Sequence, residues 1–184
     1  MRRLGWMTLS AAIAACAPLS VSSHIQPGAD FSRYRTYDWA PRDALPTGDP
    51  RLDDNPFFDS HVRASVEREL ASKGYRREPE NPDLLVHYHA SVQQKVDIYR
   101  TDAEAGYSYE SAAVQYEEGT LVLDVADART KQIVWRGWGQ SDIGGVINDQ
   151  SRMEKRIVEV TREILKRFPL KDSQPAPQPS GRSR

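Results

Sequence analysis

The 184-residue sequence holds a single cysteine, Cys16, which excludes an intramolecular disulfide framework and any cysteine-rich zinc module. Packing and backbone pairing must therefore hold the fold. Neither charge is in excess: 25 Lys and Arg stand against 26 Asp and Glu, a formal −1, so there is no global field to gather nucleic acid or an anionic membrane surface. No apolar run reaches the roughly 20 residues that a membrane-crossing helix needs. A Gly-x-Ser-x-Gly elbow, a Gly-Lys-Ser/Thr phosphate loop and the glycine fingerprint of dinucleotide sites are all missing. Gly137, Gly139, Gly144 and Gly145 thus read as loop or strand-crowding glycines, and no cofactor is expected. What remains, 39% hydrophobic and 28% charged residues, suits one modest core.

The N-terminus carries an address. Arg2 and Arg3 supply a positive start, and an uncharged, mostly apolar stretch runs from Leu4 to Ala15 before ending in small residues, the pattern of a secretory signal over residues 1–15. Its close, Ile13-Ala14-Ala15-Cys16, resembles the bacterial lipobox, and that resemblance implies diacylation of Cys16 as the first residue of the mature chain. Several acyl chains anchor stably where one holds only marginally, each buried methylene contributing about 0.8 kcal/mol. Ala17, rather than Asp, follows Cys16, so lipoprotein sorting in a Gram-negative cell implies the outer membrane, periplasmic side. Loss of the signal removes Arg2 and Arg3 and leaves a formal charge of −3, which does not alter the partners expected.

Residues 16–29 mix Ser, Pro, Gly and small side chains and read as a tether. Residues 172–184, with Pro175, Pro177 and Pro179 and no large apolar side chain, read as a disordered tail. The folded domain is then 30–171. A first strand is expected from Tyr34 to a stop at Pro41, and Asn55-Pro56 caps a helix in which Phe58, Val62, Val66 and Leu70 recur every fourth residue up to Gly74. Residues 83–94 alternate as a half-buried strand, with Leu84, Val86, Tyr88, Ala90 and Val92 on one side and Leu85, His87, His89, Ser91 and Gln93 on the other. Residues 119–126 and 132–142 form two more strands. With Ala126 facing Gln132, Leu121, Leu123 and Val125 lie beside Gly137, Trp135 and Ile133. From about Asn148 a second helix buries Met153, Ile157, Val160, Ile164 and Phe168 before Pro169. The order β-α-β-β-β-α predicts a two-layer α+β sandwich, with a mostly antiparallel four-stranded sheet under two helices packed on one face. The acid- and tyrosine-rich stretch 99–116 fits no periodicity.

Several of these pieces resemble the DUF4136 family of bacterial lipoproteins of unknown function. They are Asp30-Phe31-Ser32-Arg33-Tyr34-Arg35-Thr36-Tyr37-Asp38-Trp39, Glu69-Leu70-Ala71-Ser72-Lys73-Gly74-Tyr75, Asn81-Pro82-Asp83-Leu84-Leu85-Val86, Gly119-Thr120-Leu121-Val122-Leu123-Asp124-Val125, Lys131-Gln132-Ile133-Val134-Trp135-Arg136-Gly137 and Phe168-Pro169. The resemblance implies an α+β domain of the cell envelope with no assigned reaction. The stretch 99–116 departs from it, being rich in tyrosine and acid rather than glycine.

The candidate chemistry is thin. His87 and His89 project from one strand face about 7 Å apart, a spacing that fits two ligands of a shared metal. No further ligand pattern joins them: His24 falls in the tether and His61 in the first helix. Asp124 with Asp127, and Glu117 with Glu118, read as solvated charge, so a non-enzymatic role is expected. Trp135 and Trp138 differ in parity, which places Trp135 in the core and Trp138 on the other sheet face. There Trp138, Arg136, Val134, Val122, His87 and His89 form a candidate interaction surface for an envelope protein or a second copy, because Trp and Arg dominate binding hot spots. The alternatives are that the 99–116 stretch folds back over that face, or that the two histidines serve a small-ligand or metal site.

Overall fold

The computed structural model describes residues 19–41, 47–100 and 111–171. In chain order the elements are β1 (Ser20–Ile25), a 3-10 turn (Phe31–Arg33), β2 (Thr36–Trp39), α1 (Pro56–Ser72), β3 (Arg76–Arg77), β4 (Leu84–Arg100), β5 (Ser111–Asp127), β6 (Ile133–Asp142) and α2 (Gln150–Leu165). The expected signal over 1–15, Cys16 and the expected tail over 172–184 lie outside the described residues.

Both helices form where periodicity and capping agree. At the start of α1 the Asn55 side chain accepts hydrogen bonds from the Phe57 and Phe58 amides, with Pro56 in the first turn where its missing N–H costs nothing. Gly74, just past the Lys73 cap, turns the chain out of the helix with a φ of 90° that glycine adopts without strain. Asp149 caps α2 by accepting from the Arg152 amide. Each helix turns its apolar stripe, Phe58, Val62, Val66 and Leu70 or Met153, Ile157, Val160 and Ile164, toward the sheet and toward the other helix.

The sheet corrects the four-stranded, mostly antiparallel expectation. It is six-stranded and mixed, in the order β1-β6-β5-β4-β2-β3, with β2 parallel to both β3 and β4 and the remaining pairs antiparallel. The parallel pairing follows from connectivity: α1 carries the chain back to the end where β2 began, so the next strand runs the same way. Two added strands complete the count. Strand β3 has two residues, too few to show an alternation. Strand β1 lies within the stretch 16–29 read as a tether, and it forms because Val21, Ser23 and Ile25 turn partly inward against β6 while Ser20, Ser22 and His24 stay exposed. Strands β4 and β5 reach 17 residues each, so both ends of the 99–116 stretch are strand, and residues 101–110 lie outside the described residues.

The β5–β6 register is shifted from the expected one by two residues. Val125 faces Trp135, Leu123 faces Gly137 and Leu121 faces Gly139, while Ala126 faces Ile133, so a bulge leaves Val134 unpaired. A shift of two preserves parity, and Trp135 stays on the core face with no exposed surface. Past the bulge Ile133 is turned outward, 42% exposed. Asp83 pins the parallel junction: its carboxylate accepts from the amides of Arg35 and Thr36 and from the Thr36 hydroxyl, and that hydroxyl accepts from the Asp83 amide. Phe168, 2% exposed, closes the base of the core, with Trp135, Tyr75 and Phe31 ringed around it at centroid distances of 5.0, 5.4 and 5.6 Å. Burial of such a ring stabilises by about 2–3 kcal/mol, which accounts for the aromatic at the end of the domain.

Candidate interaction face

Both helices pack on the Trp135 side, and the opposite side of the sheet has no helix on it among the described residues. The registers lay out its surface in rows. One row runs His24, Arg136, Asp124, His87 across β1, β6, β5 and β4, and the next runs Ser22, Trp138, Val122, His89. Five of the six residues expected on this surface, His87, His89, Val122, Arg136 and Trp138, therefore come together in two adjacent rows. Val134 does not: the bulge takes it out of the alternation, and it is 6% exposed and part of the core cluster.

Charge on the face is organised around one pair. Arg136 Nε donates to Asp124 Oδ1 at 2.5 Å and Nη2 to Oδ2 at 2.7 Å, a fork-to-fork contact that also raises the guanidinium pKa. With Arg136 about half exposed, the pair contributes at most about 1 kcal/mol to stability. Arg136 and Trp138 lie two residues apart on β6, in adjacent rows of this face. Farther along β5, Glu118 pairs with Lys95 at 3.5 Å and Glu117 accepts from Arg51 Nη2 at 2.8 Å.

The carboxylates read as solvated charge divide. Asp124, Glu117 and Glu118 sit in ion pairs at the strand surface, and Asp127, the last residue of β5, is buried, 5% exposed. Sequence reading also missed His24, which β1 brings beside Arg136. The two-residue alternation of Val21, Ser23 and Ile25 was the signal that reveals it. Arg136 and Asp124, bonded to each other, both stand between His24 and His87 in that row, which keeps the two imidazoles three strands apart. Among the described residues no three His, Cys, Asp or Glu side chains gather to hold a metal ion.

The model of the family described as domain of unknown function (DUF4136) matches residues 21–170, from within β1 to just past Phe168-Pro169. No curated protein matches the sequence. Among solved structures, a PDZ domain protein from Parabacteroides distasonis superposes with a TM-score of 0.53 at 12% identity, covering 86% of this chain and 37% of that one. At that identity the likeness is one of fold, and the chain spans little more than a third of that protein. The PelC dodecamer from Paraburkholderia phytofirmans gives 0.48 at 11% identity, covering 85% of this chain and 100% of that one. A putative neuraminyllactose-binding hemagglutinin homolog from Helicobacter pylori gives 0.43 at 14%, covering 80% and 89%.

Proposed function

The chain belongs to the DUF4136 family, and from that premise we propose that it is a non-enzymatic interaction domain of the cell envelope. Acyl groups on Cys16 hold it at the periplasmic side of the outer membrane, and it docks an envelope protein or a second copy through its open sheet face. The observation that carries this reading is the grouping of Trp138, Val122 and the Arg136–Asp124 pair on the side of the sheet away from both helices. An aromatic anchor beside a fixed guanidinium is the composition of interface hot spots, and such side chains contribute little to a fold from a solvent-facing sheet. The edge of the same sheet adds to it. The Ser-Val-Ser-Ser-His-Ile segment of β1 carries no Lys, Pro or acidic residue, the usual guards against pairing with another strand.

The Trp138→Ala, Arg136→Ala double variant tests the reading. It is expected to keep the thermal midpoint within a few degrees of the parent while weakening association with the captured partner or the second copy by about thirtyfold, the loss typical of a 2 kcal/mol hot spot. Association of unchanged strength in a folded variant removes this face as the docking surface.

A further inference from the structure

Strands β4 and β5 outrun the rest of the sheet, and we propose that the arm they form is a second lipid contact, lying along the headgroups of the leaflet that holds the acyl groups on Cys16. This rests on the acylation of Cys16 proposed above. Register places the arm and the anchor at one end of the sheet. Ser20, the first residue of β1, stands in a row with Gln140, Thr120 and Ser91, so β1 begins at the end where β6 stops, at Asp142. Past Asp142, residues 95–100 pair with 111–116 as a ribbon of two strands, with no third strand beside it among the described residues.

Two lengths decide the geometry. From Ser20 back to Cys16 the chain advances four residues, which reach at most about 14 Å when fully extended. From Ser91 to Arg100 strand β4 advances nine residues, roughly 30 Å. The arm therefore outreaches the anchor by about 15 Å, and with the strands upright on the membrane its end would pass into the hydrocarbon. An open two-stranded ribbon cannot enter there, because its edges carry backbone N–H and C=O groups that only water or headgroups can satisfy. The anchor is too short to lift the arm clear, so the domain must lean until the arm runs along the surface. Its composition suits that position. Val96 and Val114, 54% and 50% exposed, are two of the four exposed large hydrophobic side chains among the described residues, and Tyr99 and Tyr116 in the same strands are of a type enriched at the membrane–water interface. A two-stranded ribbon is only marginally stable in water, and a lipid surface supplies the contact it lacks.

The test uses the acylated chain purified from bacterial membranes, with Val96→Cys, Val114→Cys or Arg129→Cys carrying an environment-sensitive fluorophore. Acylation leaves Cys16, the one cysteine of the sequence, without a free thiol, so the label goes to the introduced position alone. Each protein is placed in vesicles of phosphatidylethanolamine and phosphatidylglycerol containing a lipid with a quencher in its headgroup. At positions 96 and 114 the emission is expected to shift to the blue and to be lost in large part to the quencher, while at 129, exposed in the turn at the other end of β5, it stays unchanged. In the unlabelled acylated chain on vesicles, the amides of 95–100 and 111–116 should exchange hydrogen more slowly than in the Cys16→Ser chain in solution. Labels at 96 and 114 quenched no more than the one at 129 would overturn the lipid contact and leave the docking face standing. So would emission that shifts with protein density and not with the quencher, the sign of a second copy on the arm. A mass spectrum showing unmodified Cys16 would remove the anchor of the proposed function and this inference with it.

Discussion

Replacing Gly137 with valine should leave no stable native state, and even Gly137→Ala should cost about 3 kcal/mol, at the upper end of overpacking losses. Gly137 lies two residues after Trp135 on the same face of β6, and the Trp135 ring lies along the strand directly over it. A Cβ there would run into Cη2 of Trp135, sit 2.7 Å from its Cζ2 and 2.6 Å from Cγ2 of Ile164. Neither neighbour has room to yield: both have no exposed surface, and Trp135 is held edge-on by Phe168 at 5.0 Å. Relief would require α2 to lift off the sheet. The contrast is Gly119, where a Cβ would meet only the branched end of Ile143, at 2.9 Å, so Gly119→Ala should cost clearly less. Urea titration followed by tryptophan fluorescence checks both, and a Gly137→Ala midpoint equal to that of the parent would show that the ring does not pack as described.

The second large effect is expected at Asp127 and depends on pH. Oδ1 accepts from the amides of Arg129 and Thr130 at 3.0 and 2.8 Å, and Oδ2 accepts from the Tyr34 hydroxyl and from Arg33 Nη2, both at 3.0 Å. Burial pushes this carboxyl up, but the backbone and side-chain donors outweigh it and hold the pKa down at about 2, against an ordinary 3.8. Because the folded value is the lower one, the stabilisation is present in full above about pH 4 and is lost as pH falls through 2. By linkage it amounts to roughly 2 kcal/mol near neutrality. In Asp127→Asn the side-chain NH2 must face either Arg33 or the Arg129 and Thr130 amides, which can only donate, so the variant should be less stable by about 2–3 kcal/mol at pH 7. That gap should narrow between pH 4 and pH 2. Denaturant midpoints of parent and variant across that range measure it, and a gap independent of pH would mean that the carboxylate charge is not what the turn uses.

Residues whose structure is set by neighbours in sequence were legible before the fold was known. The Asn55-Pro56 start, the four-residue recurrence ending at Gly74 and the alternation through His87 and His89 all depend on local capping and period, and the structure keeps them. Pairing was harder to read. Strand β1 is only six residues long and gains its energy from β6, more than a hundred positions away, so a Ser-rich stretch beside an expected signal resembled a tether. The bulge at Val134 was invisible for a related reason: it depends on how β5 and β6 meet, and it moved one residue of the expected surface into the core while leaving the parity of Trp135 and Trp138 intact. Asp127 looked like any turn aspartate because its burying partners, Arg33 and Tyr34, lie far away in sequence.

The docking role of the open face is tested most directly by placing a photoreactive phenylalanine at position 138 and irradiating intact cells, with the same residue at Glu154, exposed on α2, as the control. Expected at position 138 is one adduct of defined mass, a single partner or a dimer of this chain, that is missing from the control. No adduct at 138, or the same adducts from both positions, would contradict a docking surface on that side of the sheet.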